Sequence, residues 1–361
     1  MSLIDIYMKK ALFIYRKFPY NTGGGIVTDS YYKVLANVFK DNLFLFELLP
    51  YEGNWQKFIG YLRGNPSRQS NKMCYDILEL ICKNNIDVVF VNASLYGKII
   101  SFLYKRKPML IIVVFYHNIE TLFVRSILKR QYRLSHLLAY IATYLSERKV
   151  TNLSSFIIGL NERDSECLYS IFGRKMDLIL PVSMKDKFDE SKTIVGSSGN
   201  SMGLFVGSDF FANYYGIKWF IENVSPYISA TIKVVGRGLE KYRENFAVYK
   251  NVLIIGTVDS LSDYYYEADF VISPIFDGSG MKTKTAEALM YGKTIIGTSE
   301  SFEGYKYNKN IGFVCNDSES FISVINSNAF MKYNKFSREL FTTYYSFQNM
   351  ENKIKCLVDE F

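Results

Sequence analysis

Two polar clusters in this chain have residue types and spacing suited to ligand chemistry. The first runs Gly278-Ser279-Gly280-Met281-Lys282-Thr283-Lys284, with Glu287 shortly after it. Glycines let a ligand approach the backbone closely. The first turn of a helix leaves four N–H groups unpaired and carries about half a positive charge. Lys282 and Lys284 add two full cations there, where the helix dipole disfavours them. That placement makes sense for a bound anion, most simply a phosphate. Glu287 only accepts hydrogen bonds, as sugar hydroxyls require. The plainer alternative is a strand-to-helix turn with solvated lysines. The second cluster is His117-Asn118-Ile119-Glu120, directly after the apolar run Met109–Tyr116. Open parallel sheets present their ligands at the carboxyl ends of buried strands. A histidine in such a place is otherwise a hydrogen-bonder for the strand end.

The elements around the first cluster form one unit. The apolar run from Asp269 to Pro274 reads as a strand and its exit. Lys282–Tyr291 reads as a helix, with Ala286, Leu289 and Met290 at helical spacing. Gly292 closes it from the C′ position, and Thr294–Gly297 supplies the next strand. Strand, glycine turn, helix and strand make a βαβ unit. Its motif resembles the nucleotide-sugar site of the family-four glycosyltransferases of GT-B fold, in the subgroup with the signature GSGMK-x-K-x-x-EA-x-x-x-GK-x-x-x-GT. Here that reads Gly278 to Lys284, Glu287-Ala288, Gly292-Lys293 and Gly297-Thr298.

Length and composition suit a chain of two ordered domains. The 361 residues exceed one ordinary core and suit two domains. A hydrophobic share of 48% is enough to order both. Five cysteines at positions 74, 82, 167, 315 and 356 show no metal-ligand spacing and read as reduced thiols of a cytoplasmic protein. Two histidines speak against a histidine-rich metal site. No apolar stretch is long enough to span a bilayer, and the N-terminus lacks a signal-peptide pattern; Met1 to Leu3 read as a tag remnant or as native sequence. Residues 1–185 hold 25 Lys and Arg against 14 acidic residues, whereas residues 186–361 hold 18 against 21. The basic first half points to an anionic partner.

Along the chain, Lys10–Arg16 reads as a buried strand, residues 19–25 as a glycine loop containing Gly24 and Gly25, and Ile26–Phe39 as a helix. Residues 51–71 read as a surface excursion, and Leu95–Tyr104 and Leu137–Val150 as helices. Asn161 caps a helix reaching Phe172, and residues 184–201 read as a linker. Between Lys98 and Arg133, eight basic residues face one acidic residue, Glu120, with Phe102, Tyr104, Phe123 and Tyr132 interleaved. Such a stretch is a solvated helix face or a surface for anionic lipid. Nucleic acid is not an expected partner, because no nucleic-acid motif accompanies the charge.

The resemblance implies an α/β GT-B protein: two doubly wound Rossmann-like domains facing across a cleft, at residues 1–182 and 186–345, with a C-terminal helix, 346–361, returning to the first. It implies a retaining, metal-independent transfer from a nucleotide-diphosphate sugar, with that donor as substrate and no cofactor. The acceptor is a glycan or a polyprenyl-diphosphate-linked sugar of bacterial surface polysaccharide synthesis, and the location is cytoplasmic, peripheral on the inner face of the plasma membrane. His117 and Glu120 become the catalytic pair. Gly24, Gly25, Arg237, Ser279, Gly280, Met281, Lys282, Lys284 and Glu287 become donor ligands. Gly256-Thr257-Val258 resembles the loop whose backbone reads the nucleobase. Two positions depart from the family pattern. Ser208 stands where relatives carry a diphosphate-binding arginine, followed about five residues later by a lysine; Ser279 stands where many carry a first glutamate, beside Asp277. A nucleotide-sugar 2-epimerase and a non-catalytic binding subunit are the rival expectations.

Overall fold

The computed structural model describes residues 9–16, 23–49, 53–192, 200–277 and 280–361. These divide into two compact units, 1–181 with 350–361, and 182–349. In the first unit β1 (Ala11–Tyr15), α1 (Gly23–Phe39), β2 (Leu43–Glu47), α2 (Asn54–Leu62), α3 (Asn71–Asn84), β3 (Val88–Asn92) and α4 (Gly97–Arg106) follow in order. Then come β4 (Ile111–Tyr116), α5 (Glu120–Arg130), α6 (Leu134–Leu153), β5 (Phe156–Gly159), α7 (Glu162–Phe172) and β6 (Leu178–Ile179). The six strands form one parallel sheet in the order β2-β1-β3-β4-β5-β6. Its middle strands are unbroken β-branched and aromatic runs such as Val88-Val89-Phe90-Val91, every residue buried, as helices on both faces require. The strand order reverses between β1 and β3, so their carboxyl ends frame the ligand-binding position of such a sheet.

The second unit contains β7 (Met202–Val206), α8 (Phe211–Asn223), β8 (Thr231–Val235), β9 (Val252–Gly256), α9 (Ser262–Glu267) and β10 (Phe270–Ser273). It continues with α10 (Thr283–Met290), β11 (Thr294–Gly297), β12 (Gly312–Val314), α11 (Ser318–Asn326) and α12 (Lys335–Leu340). Its sheet, β12-β11-β10-β7-β8-β9, is again parallel. Numbered within the unit this is the 3-2-1-4-5-6 order of dinucleotide-binding folds, with the reversal between β7 and β10. A last helix, α13 (Phe347–Asp359), contributes residues from Met350 onward to the first unit.

Several local expectations are corrected. Gly23, Gly24 and Gly25 open α1 instead of forming a loop, and neither Gly24 nor Gly25 has a positive φ; the preceding residues 17–22 lie outside the described residues. The excursion at 51–71 contains α2. The expected linker is tied down in its described first part: Met184 bridges Ser346 and the Arg338 guanidinium pairs with Asp186. The stretch 305–346, weakly patterned in sequence, holds β12, α11 and α12. All five cysteines are free thiols. Among the described residues no helix is long and apolar enough to cross a membrane.

One close approach sets the geometry of the second unit. At Gly216, within α8, an added Cβ would lie 1.9 Å from the Pro274 carbonyl oxygen at the exit of β10. Alanine is the better helix former by about 1 kcal/mol, so propensity and packing disagree. Overpacking against immobile backbone costs about 1–3 kcal/mol, and packing should win. Gly216→Ala is therefore expected to lower the melting temperature; a variant that melts at or above the wild-type temperature would show that α8 can move away freely.

Candidate functional site

The signature of the second unit lies at the carboxyl end of β10, beside the sheet's reversal point. Gly280 is buried with φ +68, a backbone conformation suited to glycine. Its carbonyl accepts from Lys282 Nζ at 2.8 Å. Lys282 occupies the N-cap of α10, and its ammonium pairs with Glu300 Oε1 at 2.5 Å. Glu300 is aimed there by a clamped turn after β11: Thr285 Oγ1 donates to the Ser301 carbonyl at 2.8 Å, and Ser301 Oγ to the Ser273 carbonyl at 2.5 Å. Met281 is buried. Ser279 and Gly278 lie outside the described residues, and Asp277 is exposed.

Lys284 is in a different situation. Its side chain is buried, its Nζ donates to Asn213 Oδ1 at 2.6 Å, and it lies 4.5 Å from the Phe205 ring centroid. Asn213 sits in the first turn of α8 and is oriented by its own Nδ2, which donates to the Ser208 carbonyl at 2.9 Å. Burial, then the charge of Lys282, pushes the Lys284 amine down to about 7, against the pull of Glu287. Glu287 accepts from the Tyr265 hydroxyl at 3.3 Å, and burial raises its carboxyl to about 6. The third signature lysine, Lys293, is fully buried and donates to the carbonyls of Ala268 (2.8 Å) and Lys332 (3.1 Å). It is a brace of the unit.

Around β7, β8 and β9 the backbone closes tightly. Gly236 adopts φ +149, and a Cβ there would meet the Gly207 carbonyl at 1.9 Å. Arg237 is exposed, and its carbonyl accepts from the Asp209 amide at 2.8 Å. Lys218 stands 3.7 Å from Glu222 on the α8 surface. In the expected base-reading loop, the Thr257 amide and hydroxyl both donate to Glu240, the amide at 3.2 Å.

The first unit has its own polar cluster at the ends of β3 and β4. His117 follows β4, while Glu120 is the first residue of α5. The helix begins two residues later than Asn118, so the pair does not share a helical face. His117 Nε2 lies 2.6 Å from Asn92 Oδ1, and Asn92 Nδ2 donates to Thr28 Oγ1 at 2.9 Å. With the amide nitrogen committed to Thr28, the amide oxygen accepts from Nε2–H and leaves Nδ1 as an acceptor. The Tyr31 ring stacks on Phe115 and meets the imidazole edge-on at 5.7 Å. Burial lowers the His117 pKa to about 4. Glu120 is raised to about 7, by burial and then by Glu147, against a bond from Asn118. Glu147 is fully buried on α6 and caps α5 from outside: it accepts from Ser94 Oγ (2.8 Å) and from the amides of Glu120 (3.0 Å) and Thr121 (2.9 Å). At neutral pH this cluster holds a neutral imidazole and a carboxyl near its midpoint. It suits hydroxyl groups better than phosphates. Gly24 is exposed and Gly25 buried in the first turn of α1, just ahead of Thr28. Among the described residues no group of three or more His, Cys, Asp or Glu could hold a metal ion.

Asn92, Asn213, Glu147 and Glu300 were not singled out as site residues from sequence. Asn213 had a signal, standing five residues after Ser208 where relatives carry a lysine. Asn92 had a weaker one, a polar residue closing an apolar strand. Glu147 had none, and Glu300 only its place in a strand-end loop.

Comparison with solved structures identifies the fold. The chain is similar to sucrose-phosphate synthase from Thermosynechococcus elongatus, with TM-score 0.74, 12% identity and 98% of each chain covered. It is similar to HepE from Anabaena in complex with UDP, with TM-score 0.70, 11% identity, and 98% of this chain and 100% of that one covered. It is also similar to WaaG, a glycosyltransferase involved in lipopolysaccharide biosynthesis, with TM-score 0.62, 17% identity, and coverage of 95% and 94%. The fold is GT-B. Residues 201–327, which carry the signature, match the family described as glycosyl transferases group 1. A search of curated proteins finds no match.

The environment of His117 can be read directly, because the chain has only two histidines. Proton NMR should show one imidazole that stays neutral down to about pH 4. Asn92→Asp should bring a carboxylate to the same nitrogen and raise that titration into or above the ordinary range. Ordinary titration of both wild-type histidines would mean that His117 is not buried in solution.

Proposed function

We propose that this protein is a retaining glycosyltransferase moving a sugar from a nucleotide-diphosphate donor to a glycan or polyprenyl-diphosphate-linked acceptor in bacterial surface polysaccharide assembly. One observation carries the reading: Gly280, Lys282, Lys284 and Glu287 stand at the carboxyl end of β10, at the reversal point of a 3-2-1-4-5-6 sheet. The family match over the same unit supports it, and the HepE complex with UDP makes uridine nucleotides the first donors to test. Lys282, Lys284 and the amides of α10 meet the charge of the leaving diphosphate, with no metal required. Glu287 takes the ribose hydroxyls, and the buried Met281 supports the turn. Ser279, Gly24 and Gly25 are kept as donor-binding residues on the resemblance alone. Arg237 supplies exposed positive charge near the diphosphate. His117 and Glu120 orient sugar hydroxyls, and retention proceeds without a covalent enzyme intermediate.

The basic stretch adds a membrane partner. Lys105, Arg106 and Lys107 close α4, Lys129 and Arg130 end α5, and Arg133 stands at the N-cap of α6. Exposed Met109, Tyr132, Leu134, Ile141 and Leu145 offer apolar side chains nearby in sequence. This combination suits an anionic leaflet and a peripheral position on the inner face of the plasma membrane. A second reading, a nucleotide-sugar-binding subunit without turnover, is favoured by Ser208 in place of arginine; a 2-epimerase shares the donor chemistry.

A thermal-shift screen of UDP-, GDP- and ADP-sugars is expected to yield a stabilising ligand, about 2.7 kcal/mol at 100 times Kd. Lys284→Ala should cost about 1.5–3 kcal/mol of that binding, as loss of a charge-assisted bond does, and Glu287→Gln should weaken nucleotide more than free sugar. No stabilisation by any nucleotide sugar would overturn the reading. Product analysis with and without acceptor then separates transfer, epimerisation and silent binding.

Co-sedimentation with anionic vesicles should be strong at low ionic strength and fall as salt rises. Neutralising Lys105, Arg106 and Lys107 together should weaken it by about 1 kcal/mol per cation. Negligible co-sedimentation at low salt would favour a water-soluble acceptor.

A further inference from the structure

We propose that Lys284 is a proton-linked ligand of the donor's diphosphate: its amine rests on Asn213 in the empty site and takes up a proton as the diphosphate binds. This rests on the nucleotide-sugar reading above and assigns Asn213 as the positioning residue of that site.

The three signature lysines are held in three different ways. Lys282 has a carboxylate, Glu300, at 2.5 Å, so its charge is balanced before any ligand arrives. Lys293 has two backbone carbonyls and no opening toward a ligand among its contacts. Lys284 has one amide oxygen and one ring face, and among the described residues it makes no ion pair. A buried cation without a counter-charge is costly, and a lysine in that position sheds its proton instead.

The identity of residue 213 matters because of what an amide oxygen does. It accepts from an ammonium or from a neutral amine, so it fixes the position of Nζ without holding the charge on it. The bond from Asn213 Nδ2 to the Ser208 carbonyl keeps that oxygen turned toward Lys284. An aspartate would hold the charge permanently. The charged groups facing the amine act as follows. Lys282, two residues earlier, repels a second cation. Glu300 is engaged by Lys282. Glu287 attracts the cation, but it is itself raised to about 6, is bound by Tyr265 and is faced by Lys187. From β7 comes only the Phe205 ring, and from α8 the Asn213 amide. The resultant places the empty-site amine near 7.

The diphosphate of a nucleotide sugar carries two negative charges and no group that titrates near neutrality. A proton taken up on binding must therefore go to the protein, and the opposite charge beside Nζ favours the ammonium. No covalent bond changes; the proton comes from buffer. With an empty-site value of about 7, uptake should be about 0.9 proton per ligand at pH 8 and about 0.1 at pH 6. Affinity should fall by up to about tenfold per pH unit above pH 7, because the proton must then be drawn from a scarcer supply.

The test is titration calorimetry with UDP-glucose, GDP-mannose and ADP-glucose in buffers of different ionisation enthalpy, which counts protons exchanged per ligand bound. The expected result is uptake of nearly one proton at pH 8, vanishing toward pH 6. Asn213→Asp should abolish the uptake while leaving the melting temperature near wild type, since Lys284 is then charged before the ligand arrives. Lys284→Met should abolish it too and weaken binding. Binding without proton exchange from pH 6 to 9, or uptake that survives Lys284→Met, overturns the proposal and leaves the nucleotide-sugar reading standing. Failure of all three nucleotide sugars to bind overturns both.

Discussion

A parallel sheet covered by helices on both faces has no wet face on which to place chemistry. Its strands must be apolar along their length, as residues 88–91 and Ile111–Tyr116 are, and polar groups are admitted only where strands end. That constraint accounts for the arrangement of both units. Asn92 and His117 close β3 and β4, and the glycine-lysine turn follows β10. The strand order then decides which end is open. Where neighbouring connections leave in opposite directions, the helices diverge and a polar ligand has access to backbone amides.

What was legible in the sequence follows the range of the interaction that creates each feature. The central βαβ unit was legible because periodicity, glycines and capping act within a few residues. Gly292 does adopt the left-handed backbone expected after a helix, and Asn161 accepts from the Asp164 amide to start α7. The three glycines at 23–25 misled, since flexible residues read as a loop, yet the helix begins with them. The polar partners of the site were mostly hidden. Glu300 meets Lys282 across 18 positions, and Asn213 meets Lys284 across 71. Glu147 reaches the amides of α5 from another helix altogether. No local pattern encodes a pairing of that kind; it exists only once the sheet order is set.

The two units treat buried charge differently. The second places lysine amines about the signature helix and meets each with a different acceptor: carboxylate, amide or carbonyl. The first keeps an uncharged imidazole and a pair of carboxyls: Glu147 raises the affinity of Glu120 for its proton and accepts from the Glu120 backbone amide. Such contrast matters for division of labour. Diphosphate recognition needs a strong, directional positive field, whereas hydroxyl groups need donors and acceptors of fixed tautomer and little net charge.

The membership of residues 350–361 in the first unit has a consequence for how the protein is made. Lys9 Nζ donates to the Phe361 carbonyl at 2.6 Å, Asn37 to Glu351 Oε2 at 2.9 Å, and Lys353 to the Ile179 carbonyl at 3.2 Å. The unit that leaves the ribosome first thus lacks some of its own contacts until every residue of the second has been translated. All six strands of its sheet are translated by residue 179, yet these closing contacts must wait through the synthesis of some 170 further residues. A chain cut off late would therefore carry both sheets but leave the first unit without its closing helical segment.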